Sequence, residues 1–214
     1  MKIIIAIFTA ALILMGATSV KAQDKNYPSA GLKGGLNLSS VINNGEDDNN
    51  LSLGFHAGVY DKIPVNEVFA FQPELLYSMK GVKINYDESS FAEGSSNMRL
   101  HYIDLPLKLV FNLSDNLELQ VGPYVGYLIG ANVQTDAEVL NYFDIDSDEE
   151  LDRENFNPID YGLTAGLAFD FDAYFIGLDY NLGLNPVAKS GESSEEIFND
   201  AMNSTLQMSI GLRF

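Results

Sequence analysis

Only two imidazoles, His56 and His101, are available for acid–base or metal chemistry, and the chain has no cysteine. A thiolate nucleophile, a disulfide framework and a cysteine zinc site are therefore excluded. A catalytic triad or a histidine-rich metal centre has almost no material to be built from. The one acid–base pairing the residues offer is His101 with Asp104 or Asp160, which would suit a lipid- or peptide-directed hydrolase. Neither a Gly-x-Ser-x-Gly elbow nor a phosphate loop is present. No residue is assigned a catalytic role on this basis.

The sharpest local feature is acidic: Asp144-Ile-Asp-Ser-Asp-Glu-Glu-Leu-Asp152. Its first half imitates a calcium loop, since carboxylates at alternate positions suit a hard cation that takes oxygen ligands. Glu149, however, stands where the turn glycine belongs, and Asn155 where the bidentate glutamate should be. An EF-hand is therefore not expected. What remains is an acidic stretch in which Asp144, Asp146, Asp148 and Glu149 would bind Ca²⁺ or Mg²⁺ weakly, and no other cofactor is implied. The formal net charge of -18 and pI near 4.2 disfavour nucleic acid as a partner by repulsion.

Positioning these residues requires elements, and the chain offers only short ones. Mean hydropathy is close to zero with 46% hydrophobic residues, which fits neither a disordered polyampholyte nor a bundle of membrane helices. Residues 1–22 read as a secretory signal peptide: Met1-Lys2 is positive, Ile3 to Gly16 is apolar, and Val20-Lys21-Ala22 ends on small residues. The apolar run is too short for a spanning helix. Residues 23–214 then form one domain. No later apolar run is longer, so any membrane crossing by the mature chain must use strands.

Eight glycine- and aromatic-rich segments are expected as strands: 29–40, 51–61, 68–86, 98–113, 117–134, 158–171, 174–186 and 203–214. The connections 41–50, 87–97, 135–157 and 187–202 are long, and those between are short. All the long loops therefore fall at one end, as in outer-membrane barrels with short periplasmic turns and long external loops. Those four loops hold three, three, nine and four acids, 19 of the 30 in the chain, opposed only by Arg153 and Lys189.

Alternation is nearly clean within the segments. Ile103, Leu105, Leu107, Leu109 and Phe111 share one face, while Tyr102, Asp104, Pro106 and Lys108 share the other. The polar face carries Lys33, Glu74, Asp104, Lys108, Glu118, Asp160, Asp179 and Arg213, too many charges for a soluble protein's core. An eight-stranded barrel has room inside for side chains only, so this charged set is expected to line the lumen as a network while the apolar set meets lipid. His56 is expected to point inward and His101 to lie near an external strand end. Pro73, Pro106 and Pro123 fall within strands of a sheet that has no edge, and a bulge is expected at one or more of them.

In these segments the chain resembles the small outer-membrane β-barrel proteins of Gram-negative bacteria, often labelled porin-family or PorT-like. The resemblance is carried by Gly31-Leu-Lys-Gly-Gly-Leu-Asn37, Gln72-Pro-Glu-Leu-Leu-Tyr-Ser78, Tyr102-Ile-Asp-Leu-Pro-Leu-Lys108, Gly122-Pro-Tyr-Val-Gly-Tyr127 and Asp160-Tyr-Gly-Leu-Thr-Ala-Gly166. It implies an all-β fold, an eight-stranded antiparallel up-and-down transmembrane barrel integral to the outer membrane. It also implies that terminal Phe214 is the signal read by the barrel-assembly machinery. The partners expected are that machinery, outer-membrane lipid and lipopolysaccharide. The leading functional expectation is a structural or surface-interaction barrel with specificity in its acidic loops. A small-solute porin-like channel comes second and a lipid-modifying enzyme third.

Overall fold

The computed structural model describes residues 29–43, 46–47, 51–87, 92–139, 143–150, 155–171, 173–189 and 200–214. The signal peptide expected over residues 1–22 lies outside them. Ten strands form one antiparallel sheet: β1 (Ser29–Asn43), β2 (Glu46–Asp47), β3 (Ser52–Pro64), β4 (Phe69–Asp87), β5 (Ala92–Asn112), β6 (Leu117–Val139), β7 (Phe143–Glu150), β8 (Ile159–Asp170), β9 (Tyr174–Pro186) and β10 (Met202–Arg213). Eight of them pair with their neighbours in chain order, and β10 pairs back onto β1 from Gly31↔Arg213 to Ile42↔Met202. The barrel is therefore closed, and no backbone edge is left to face lipid. The two short extra strands are hairpin arms above the barrel, β2 on β1 and β7 on β6.

The short turns join β3 to β4, β5 to β6 and β8 to β9. At the first, Val65 N–H and Asn66 N–H both donate to the Phe69 carbonyl, and Asn66 Oδ1 accepts from Val68 N and Phe69 N. That side chain replaces turn hydrogen bonds that a four-residue connection cannot supply from backbone alone. At the opposite end the ladders run further than alternation of apolar residues suggests. The β4–β5 ladder continues to Asp87↔Glu93, inside what was expected to be a loop over 87–97. Likewise β6 continues to Val139 and folds back as β7 within the expected loop 135–157. Backbone pairing does not require an apolar face once the strands have left the membrane, so the apolar pattern stops before the strands do.

The prolines behave differently from expectation. Each of Pro73, Pro106 and Pro123 sits at a two-residue gap in one ladder, and the register resumes unshifted beyond it: Tyr60↔Glu74 then Ile63↔Phe71, Leu76↔Asp104 then Pro73↔Leu107, Pro106↔Tyr124 then Leu109↔Val121. A missing N–H removes a rung without inserting a residue. The bulge of the β5–β6 pair lies instead where Ile129 is extra, between Leu128 opposite Tyr102 and Gly130 opposite His101.

Candidate functional site

Burial alternates along β8 and β9 and through the middle of the other described barrel strands, and it places the polar face in the lumen. Lys33, Glu74, Asp104, Lys108, Glu118, Asp160 and Asp179 are all buried, whereas Leu107, Leu109, Leu163, Leu178 and Ile210 stand exposed on the outer wall. The lumen is occupied in layers from one end to the other.

At mid-barrel four of the expected residues meet. Lys33 Nζ lies 2.9 Å from Glu74 Oε2 and 3.1 Å from Asp179 Oδ2, and Lys108 Nζ lies 3.3 Å from Glu74 Oε1 and 2.8 Å from Asp179 Oδ2. Two cations and two anions alternate around a ring, so each buried charge has two partners and the net charge is zero. Gln72 and Gln120 add hydrogen bonds to Glu74 and Lys108. Space is supplied by Gly166, which stands between Gln120 of β6 and Asp179 of β9; a Cβ there would collide with the Asp179 carboxylate.

A neutral layer joins the ring toward the loop end. His56 Nδ1 is 2.7 Å from Asn37 Oδ1 and its Nε2 is 3.0 Å from Ser209 Oγ. Asn37 Nδ2 donates to the carbonyls of Phe55 and Met79 at 3.2 and 2.9 Å, bridging β3 and β4. Above it, Lys80 Nζ is held 3.1 Å from Asp104 Oδ2 and 2.9 Å from Asp160 Oδ2, over the rings of Tyr102 and Tyr124 at 4.8 and 4.7 Å. In register, Gly126 stands between Asp104 and Asp160, where a side chain would displace Asp104.

The two ends differ. Toward the long loops the lumen is filled by an apolar cluster that includes Val41, Val82, Met98, Leu100, Leu128 and Phe156. Loop backbone closes over it: Phe156 bridges Ala188, Asn157 N donates to Val187 O at 3.0 Å, and Asn157 Nδ2 donates to the carbonyls of Pro186 and Ala188. Toward the short turns Tyr60 packs edge-on against Phe175, with ring centroids 5.3 Å apart. Beside them Lys62 pairs with Glu118 and Asp170, and Arg213 pairs with Asp170 at 2.9 Å.

All eight expected lumen residues thus lie inside, in three separate groups. Lys62, Lys80 and Asp170 complete those groups, and the sequence reading did not single them out. A signal existed for two of them: Lys80 and Asp170 keep the parity of Glu74 and Asp160 along their strands. Pairing of His101 with Asp104 or Asp160 does not occur. His101 is partly exposed, its Nδ1 2.6 Å from Tyr77 Oη and its Nε2 2.7 Å from Asn132 Oδ1. Asp144, Asp146, Asp148 and Glu149 lie on β7, and their side chains are outside the described residues. Phe214 is exposed at the short-turn end, where its N–H donates to Ala30 O at 3.0 Å.

A profile of the outer membrane protein beta-barrel domain matches residues 21–189, most of the chain. The chain belongs to this family of outer-membrane β-barrels and is an integral protein of the outer membrane. No curated protein sequence matches it. Among solved structures it is similar to Ail, the attachment invasion locus protein of Yersinia pestis crystallised with the heparin analogue sucrose octasulfate, at 15% identity and TM-score 0.43 over 88% of this chain and 99% of that one. It is also similar to Neisserial surface protein A, at 11% identity and TM-score 0.39 over 86% and 97%. Likeness to OprG from Pseudomonas aeruginosa is at 12% identity and TM-score 0.37 over 88% and 97%.

Proposed function

We propose that this outer-membrane barrel is a structural or surface-interaction protein, with an ion-paired core in place of a channel and its specificity in the long acidic loops. One observation carries this reading: charged and polar side chains occupy the middle of the lumen and an apolar cluster under Phe156 occupies its external end. A barrel of this strand number encloses little beyond its side chains. Loops on such a scaffold are the part free to vary and to carry recognition. The test is planar-bilayer conductance of the refolded protein. Steady ohmic steps would replace this reading with the small-solute porin-like one, and lipid or peptide hydrolysis lost in His56→Ala or His101→Ala would favour an enzyme.

A weak divalent-cation surface on the loops is a second part of the proposal. Its support is the β6–β7 register, in which Asp136 stands opposite Asp146 and Glu138 opposite Asp144. Like charges directly opposite on paired strands are destabilising, and Ca²⁺ or Mg²⁺ between them would offset the repulsion. Affinity is expected at about 10⁻⁴ to 10⁻³ M, as for extracellular modules. Titration with Ca²⁺ should protect residues 135–157 from protease, and no protection up to about 10 mM rejects the idea. Processing and assembly complete the reading: cleavage after Ala22 and recognition of Phe214 by the assembly machinery. N-terminal sequencing of the membrane-inserted protein tests the first, and loss of insertion on deleting Phe214 tests the second.

A further inference from the structure

The outer wall of the barrel is apolar over most of its height, and the cations it carries among the described residues stand in one place, at the loop end of β4, β5 and β6. Successive rows can be followed there in register. Tyr77, Ile103 and Tyr127 form one row, an aromatic level of the kind that marks a membrane interface. The next row upward holds Met79, His101 and Gly130, the one above it Gly81, Arg99 and Asn132, and the one above that Lys83, Asn97 and Gln134. Arg99 is four residues beyond Ile103, a rise of about 10 Å along a tilted strand. That distance takes it from the edge of the hydrocarbon to the level of lipid headgroups.

Among the described residues, Lys83 and Arg99 are the only cations on the outer wall of the barrel strands. Lys33, Lys62, Lys80, Lys108 and Arg213 all enter ion pairs of the lumen. Neither Lys83 nor Arg99 forms an ion pair with a described residue, and Arg99 Nε is buried without a hydrogen-bond partner. The two are diagonal neighbours across the β4–β5 ladder, about 7 to 8 Å apart at Cα and within reach of one small anion. Between them Gly81 adds no side chain, and a Cβ there would collide with the Met98 carbonyl. The row below is braced: His101 lies between Tyr77 Oη and Asn132 Oδ1, which leaves the Asn132 amide N–H₂ as a donor for an anion held beside Arg99. Glu150 of β7 stands opposite Asn132 in register, in the same row as Arg99, and bounds the seat on that side.

We propose that Lys83, Arg99 and Asn132 form a seat for a phosphate of an outer-leaflet glycolipid, the lipid A class, docked on the β4–β5–β6 wall with its acyl chains over Ile103 and Leu105. The site lies outside the loops and lumen and goes beyond the reading above. Charge complementarity supports it: the chain carries -18 overall, yet Lys83 and Arg99, without an ion pair among the described residues, stand together at the level where that lipid carries its phosphates. A guanidinium presents a planar fork of donors that matches a phosphate, and charge-assisted bonds of this kind are the stronger sort.

The test is retention of lipid by the full barrel, extracted from membranes and held in dodecyl maltoside, a detergent without phosphate, with native mass spectrometry as the readout. The wild-type protein should retain bisphosphorylated lipid A over dephosphorylated lipid A by about tenfold, the size of one charge-assisted bond. Lys83→Gln with Arg99→Gln should abolish that preference, Arg99→Lys should keep part of it, and Lys189→Gln, a loop cation, should keep all of it. Heat-modifiable mobility of each variant establishes that it is folded, and Arg99→Lys alone carries the test if the double variant is not. Equal retention of the two lipids by wild type, or a preference that survives in the folded double variant, overturns the proposal. So does displacement of the lipid by inorganic phosphate at about 10 mM, which would mark a site for a free anion; a seat built for one phosphate of a larger lipid should resist it.

Discussion

The two walls of β5 are built from alternate residues of one strand, yet they obey different packing rules. Leu105, Leu107 and Leu109 stand outward at 37 to 44% exposure, while Asp104 and Lys108 stand inward at 2% or less. Outward residues need only be apolar, because lipid tails conform to any apolar shape and supply no specific partner. Each inward charge needs a partner of opposite sign from another strand, adjacent for Asp104 with Lys80 and far along the chain for Lys33 with Asp179, 146 residues apart. The outer wall therefore tolerates substitution by class, and the inner wall only by complementarity.

The largest effect should come from unbalancing the central ring. Glu74→Ala leaves Lys33 and Lys108 sharing one carboxylate in a closed space, and should cost about 3 to 5 kcal/mol in urea unfolding from vesicles. Glu74→Gln combined with Lys108→Met should cost less than Glu74→Ala alone, since it returns the ring to balance. A double variant worse than the single one would break the distinction between the walls. Next in size is Leu107→Arg, which puts a cation into lipid near mid-strand and should destabilise insertion by about 2 to 4 kcal/mol. Normal insertion of that variant would mean that the wall assignment of β5 is reversed.

Smaller changes sharpen the comparison. Asn37→Ala removes the side chain that satisfies the Phe55 and Met79 carbonyls and orients His56, and should cost about 1 to 3 kcal/mol. Amide exchange of β3 and β4 near those carbonyls should rise in parallel. Leu163→Val, facing lipid at 52% exposure, should shift stability by no more than about 0.5 kcal/mol. A clear loss there would show that the outer wall also packs against a specific partner.

Strand number, the alternation of faces and the inward placement of Lys33, Glu74, Asp104, Lys108, Glu118, Asp160, Asp179 and Arg213 could all be read from residue order. The physical reason is local: side chains alternate with period two in any strand, and lipid admits only the apolar set. Partner choice could not be read this way. That Lys80 serves Asp104 and Asp160 while Lys33 and Lys108 serve Glu74 and Asp179 depends on stagger and closure, which bring β1, β4, β5 and β9 to one level. Neither could the fate of the prolines, because a missing N–H becomes a bulge or a plain gap according to whether the neighbouring strand keeps its register. The extra residue of the β5–β6 pair, Ile129, carries no local sign at all. The apolar closure under Phe156 likewise joins chain segments far apart in sequence, and only the tertiary structure brings them to the mouth of one barrel.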